Sequence, residues 1–162
     1  MAYDAFLKID GIDGESTRQG FEKQIELYSF SLGASNPVTI GSMGPGGGSG
    51  KASLSSFNFM KQSDAASPQL FSAVCKGTHF PTAKVTLRKA GGEEAMDYLT
   101  YEFEKCYIDN VQWSGSSGGD DRPTESGSIT FGKVTITYTP QTEKGTKGKA
   151  VVASWDLTTV KA

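Results

Sequence analysis

Several kinds of chemistry are nearly missing from this chain. Its 162 residues include one histidine and two cysteines. Cys75 and Cys106 stand far apart, one in a helix-like run and one in a strand-like run. They form neither a disulfide framework nor a metal-ligand spacing, so both are expected reduced and buried, in a chain folded in a reducing cytoplasm. No apolar run approaches the ~20 residues that span a bilayer, so membrane insertion is not expected. Met1-Ala2-Tyr3-Asp4 has no basic region leading into an apolar one. A cleaved secretory signal is therefore not expected, and export would need a route that reads none. Positive charge is not in excess: 16 Lys and Arg stand against 18 Asp and Glu, for a net charge of −2. A nucleic-acid partner needs a basic face. The one basic cluster, Lys144, Lys147 and Lys149, reads as a solvated loop.

Glycine is abundant, with 20 residues, about 12% against a usual ~7%. Between the glycine turns, alternation dominates. Ala5, Leu7 and Ile9 share one face, and Phe57 and Phe59 another. Ala83, Val85 and Leu87 oppose Lys84, Thr86 and Arg88. This period of two is that of strands with unlike faces. In the run from Lys23 to Leu32, Tyr28, Phe30 and Leu32 form the bulky face expected on the core, with Ser29 and Ser31 outward. The phase breaks near Cys106, which predicts a break or a bulge, and flips at Gly132, which predicts a β-bulge. A last strand is expected over Ala150 to Leu157, with Trp155 in the core alongside Val151 and Ala153.

One segment has helical spacing. From Ser67 to Gly77, Leu70, Ala73 and Val74 recur on one side. Ser67 sits at a cap position, Pro68 at the first helical position and Gly77 at the end. The prediction is mainly β: a small barrel or sandwich of seven to eight strands with one flanking α-helix, as one domain over 1–162. The glycine-rich loop from Ala34 to Gly50 is too long for a simple connection and reads as a contact loop.

No motif supplies a catalyst. Gly50-Lys51 could end a phosphate loop, but Pro45 stands where that loop needs glycine, and Ala52 follows the lysine. His79 has no Gly-x-Ser-x-Gly elbow to serve and reads as a structural side chain past a helix C-terminus. Glu93-Glu94 and Asp120-Asp121 lie in glycine turns, where neighbouring side chains point apart. The latter pair lacks the ligand ladder of a calcium loop. Trp113, Trp155, Tyr101 and Phe103 fall on alternating positions and are expected in the core rather than on a sugar-binding platform. No catalytic residue, metal or cofactor is assigned.

Four blocks carry a resemblance that spans nearly the whole chain. They are Asp4-Ala5-Phe6-Leu7-Lys8-Ile9-Asp10-Gly11-Ile12-Asp13-Gly14-Glu15-Ser16, His79-Phe80-Pro81, Arg88-Lys89-Ala90-Gly91-Gly92-Glu93, and Asp121-Arg122-Pro123-Thr124-Glu125. In order and approximate spacing the set resembles the Hcp family, the haemolysin-coregulated proteins of bacterial type VI secretion systems. The resemblance implies a fold similar to phage tail-tube proteins, six copies in a ring, and rings stacked into an exported tube. It implies sheath, spike and baseplate proteins as partners, and small effector proteins carried in the lumen. It makes Ser29 and Ser31 candidates for the lumen lining. The loop Gly41, Ser42, Met43, Gly44, Pro45, Gly46, Gly47, Gly48, Ser49 and Gly50 becomes a candidate for ring stacking. The alternative expectation is a monomeric β-sandwich that binds carbohydrate or another ligand.

Overall fold

The computed structural model describes residues 3–40, 48–89 and 95–162. The first strand, β1 (Tyr3–Ile9), buries Ala5, Leu7 and Ile9 on the core side. Phe6 faces the other way and is nevertheless buried. After a turn at Gly11 (φ 86°) the chain folds back and stacks Phe21 on Phe6 at 4.5 Å between ring centroids. The Arg88 guanidinium lies 5.2 Å over the Phe21 ring. The opening block and the Arg88 block thus meet in one place.

The main sheet has nine strands, β2 (Ile25–Leu27), β1, β9 (His79–Lys89), β10 (Asp97–Ser114), β11 (Thr124–Thr130), β8 (Phe57–Gln62) and β3 (Ser29–Ser31) in spatial order, with β12 (Lys133–Tyr138) on β10 and β13 (Val151–Asp156) on β12. All pairings are antiparallel, which alternating patterns favour. The two ends of the path, β2 and β3, are consecutive pieces of one segment. The expected barrel or sandwich is realised as a single strongly curled sheet whose ends meet at Tyr28. There the chain bends, and the Tyr28 N–H donates to the Met60 carbonyl at 2.7 Å. Because β2 belongs to β1 and β3 to β8, the buried phase changes at the bend: Ile25 and Leu27 are buried, then Phe30 turns inward and Tyr28 is exposed. The expectation of Tyr28 on the core fails for that reason.

Phe57 is at the centre of the packing, with Phe103 at 5.2 Å, Phe30 at 5.7 Å and Tyr101 at 6.1 Å. Such pairs add about 0.5–1.5 kcal/mol each beyond the area buried. Gly127 leaves room for this cluster, since a Cβ there would sit 2.6 Å from the Phe59 ring. Both expected breaks of phase are present and lie opposite each other, but neither is a bulge: Glu104 pairs with Lys133 and Tyr107 with Thr130, so the register runs on with no inserted residue. Lys105 has φ 57°, and the buried phase passes from Phe103 to Cys106 and Ile108. Across the ladder, Gly132 N–H donates to the Glu104 carbonyl at 2.9 Å between β11 and β12.

The helix α1 (Ser67–Lys76) buries Leu70 and Ala73 and closes at Gly77 in the left-handed conformation (φ 62°). Gly77 and Thr78 N–H groups donate to the Val74 and Ala73 carbonyls at 3.3 and 3.0 Å. His79 is therefore not needed there. It opens β9, exposed and edge-on to Tyr107 at 5.2 Å. Ser67 is not the cap, which is Ala66. Its hydroxyl is drawn into a buried cluster instead, donating to Glu125 Oε2 at 2.5 Å and accepting from Lys61 Nζ at 3.0 Å. Lys61 Nζ also lies 2.7 Å from Asp64 Oδ1 and 3.3 Å from Glu125 Oε2. Three residues before Glu125, Arg122 donates to Gln62 Oε1 at 2.7 Å and to the Ser63 carbonyl at 3.3 Å. The Asp121–Glu125 block thus clamps the start of the helix to the sheet.

The cysteines separate. Cys106 is buried and Cys75 exposed on α1, both free, so the expectation of two buried thiols holds for one. The tryptophans are not core residues. Trp113 is 43% exposed and tilted against Phe71 of α1. Trp155 is half-buried on β13, which among the described residues pairs with β12 alone and leaves Val151 and Val152 66% and 60% exposed. Lys144, Lys147 and Lys149 are exposed.

Candidate functional site

Four strands place small polar side chains on one outward face. The register aligns Ser31, Asn58, Ser128 and Asn110 in one cross-strand row, and Ser29, Met60, Ser126 and Gln112 in the next. The opposite side of the same strands carries Phe30, Phe57, Phe59 and Ile129 into the core. Alternation fixes this division, since a one-residue slip would exchange the two faces. The rows border a shallow concavity of about 390 Å³. Ser29 and Ser31 are both exposed there.

A bulge shapes the edge of this face. The β10–β11 register shifts between Ile108 and Asn110, leaving Asp109 as the extra residue. Its carboxylate accepts from the Ser128 and Thr130 hydroxyls and from Ser56 Oγ at 3.3 Å. Burial works against the Asp109 charge, but these three hydroxyls outweigh it and hold the carboxyl below the usual range. Thr130 pairs with Tyr107, which pairs with His79, so the polar face continues onto β9.

The second candidate, the glycine-rich stretch, is partly described. Gly41, Ser42, Met43, Gly44, Pro45, Gly46 and Gly47 lie outside the described residues. The flanks are not an irregular loop. β4 (Ala34–Ser35) pairs with β7 (Ser53–Leu54), and β5 (Val38–Thr39) with β6 (Gly48–Ser49). These flanks make a two-part β-arm. Gly50 is required where the arm closes, because a Cβ would meet Pro37 Cγ at 2.4 Å. Ile40 on the arm is 94% exposed and Val38 57%.

The arm and the polar face are separate surfaces. Asn58, Asn110, Gln112, Ser126, Ser128 and Asp109 join Ser29 and Ser31 through pairings between segments distant in sequence. Their local signals were alternation within single strands: Asn58 against Phe57 and Phe59, and Ser126, Ser128 and Thr130 against Glu125, Gly127 and Ile129. Asp120 and Asp121 are exposed, and Glu93 and Glu94 lie outside the described residues. Among the described residues, no group of His, Cys, Asp and Glu is placed to hold a metal ion.

The family model described as "Type VI secretion system effector, Hcp" matches residues 6–138. Protein hcp1 of Pseudomonas aeruginosa is 37% identical over 158 residues, covering 97% of this chain and 96% of that protein. A solved structure described as a type six secretion system protein superposes with a TM-score of 0.93 at 35% identity, covering 99% of each chain. Hcp1 from Salmonella typhimurium gives 0.79 at 34% identity, again over 99% of each. By sequence and fold together, the chain belongs to the Hcp family of type VI secretion system proteins.

Proposed function

We propose that the protein works as a ring-forming tube subunit in which the outward polar face of β3, β8, β11 and β10 lines the lumen. Six copies close into a ring, rings stack into a tube, and small effector proteins travel inside it. The role is structural rather than catalytic, and one domain supplies all of it. The subunit leaves the bacterial cytoplasm with the tube, without a cleaved signal peptide, and meets the sheath, spike and baseplate proteins of the same machine.

The observation that carries this reading is the pair of cross-strand rows, polar except at Met60, that contains Ser29 and Ser31. Hydroxyl and amide side chains over a packed wall make a wet surface that lets a partner approach closely, and sixfold repetition multiplies each weak contact. Two other features are supporting. Strand β13 leaves an apolar edge that one copy does not cover, and such an edge needs a partner. The arm carries exposed Val38 and Ile40 away from the core, suited to the next ring. Ser31→Gln tests the lumen reading. It adds bulk to the face while sparing the core, so rings should form and the small proteins that co-purify with them should be lost. Unchanged co-purification, or loss of the ring itself, would contradict the assignment.

A further inference from the structure

Asp109 fixes the direction of the hydrogen bonds around it. A serine or threonine hydroxyl has one proton to donate. Those of Ser128 and Thr130 go to the Asp109 carboxylate. Ser56 Oγ is 3.3 Å from that carboxylate and 3.3 Å from Thr130 Oγ1, so its proton is also held inside the cluster. At these three hydroxyls, what remains for a visitor is lone pairs, whereas the neighbouring Ser29, Ser31, Ser126, Asn110 and Gln112 can still donate. Asn58 Nδ2 gives one of its two N–H groups to the Ser56 carbonyl at 3.0 Å. Among the described residues, no lysine, arginine or histidine lines the concavity. The formal charge in contact with it is the carboxylate of Asp109, through Ser128.

We propose that the Asp109–Ser56–Ser128–Thr130 cluster makes its corner of the face a negatively charged patch whose own hydroxyls only accept, and that this patch selects cargo segments rich in N–H donors, above all lysine and arginine side chains. The inference rests on the reading of this face as the cargo surface and adds the chemistry of what it takes. A patch of free hydroxyls would turn donor or acceptor to suit any polar partner. A carboxylate that claims the protons removes that freedom. An anionic segment then meets lone pairs and a like charge, whereas an ammonium or guanidinium gains charge-assisted hydrogen bonds. The three donors hold the carboxylate in the bulge, so the patch is set before cargo arrives.

The test uses two fluorescein-labelled Gly/Ser peptides of equal length, one bearing lysines and the other glutamates at the same positions. Their binding to the assembled protein is followed by fluorescence anisotropy at low and high ionic strength. The lysine peptide should bind more tightly, with a preference that falls as salt rises. Asp109→Asn should weaken the lysine peptide by roughly five- to tenfold without weakening the glutamate peptide. Ser31→Gln should weaken both through bulk alone. If Asp109→Asn retains the lysine preference while Ser31→Gln still lowers binding, the acceptor patch is wrong and the cargo face stands. If Ser31→Gln changes neither peptide, the shared reading fails and this inference with it. Equal binding of the two peptides to the unaltered protein overturns the inference even if Asp109→Asn does not assemble.

Discussion

Lys61 and Glu125 face each other across β8 and β11, Nζ to Oε2 at 3.3 Å, with side-chain exposures of 0% and 1%. Two charges taken this far from water are held by mutual attraction, by Ser67 and Asp64, and by the Gln62 carbonyl, which accepts from Lys61 Nζ at 3.2 Å. Breaking such a pair by removing one partner costs about 3–5 kcal/mol, mostly from the charge left behind. Lys61→Met and Glu125→Gln should each lower stability in urea unfolding at fixed protein concentration. The double variant should cost less than the sum of the two. Additive losses would mean that the pair is not coupled.

Gly127 and Phe59 are register partners on the core side of their strands. With only 2.6 Å available for a Cβ, Gly127→Ala must displace a buried ring, at about 1–3 kcal/mol. Phe59→Leu should return part of that loss in the double variant. A Gly127→Ala protein that melts like the parent would show that the ring has room to move.

Burial raises the Cys106 thiol from the usual 9.0 to about 11. Its folded pKa lies above its unfolded one, so this contribution to stability is full below about pH 9 and is lost as pH rises toward 11. Cys106→Val should flatten the alkaline limb of the stability profile. In the native protein at neutral pH, Cys75 should react with a thiol reagent and Cys106 only after denaturation. Rapid labelling of both would contradict the burial of Cys106.

Local features of this fold were legible because their causes are local. Gly77 ends the helix because only a glycine takes that conformation freely, and the flip at Gly132 follows from period-two alternation. The polar face was legible only at Ser29 and Ser31. Its other residues arrive by pairing β8, β10 and β11, and no periodicity specifies which strand lies next to which. Tyr28 was misread because one uninterrupted pattern conceals a change of partner strand. Trp155 was misread because phase tells which side chains share a face, and nothing about whether a layer covers it. Ser67 looked like a cap because the burial of Lys61 and Glu125 beside it is a tertiary fact.

The arm should act between rings. Replacing residues 36–52 by a tight turn removes exposed Val38 and Ile40 and leaves the nine-stranded sheet intact. Rings should persist and their stacking, seen as filament length in negative stain, should weaken. A folded monomer that no longer forms rings would place the arm in the contact within a ring instead.

Ring formation is the central claim, and native mass measures it most directly. At micromolar protein and near-physiological salt, light scattering coupled to size exclusion should report six times the 17.2 kDa of one chain, with negative-stain images showing rings around an open centre. A stable 17.2 kDa species at tens of micromolar would contradict it.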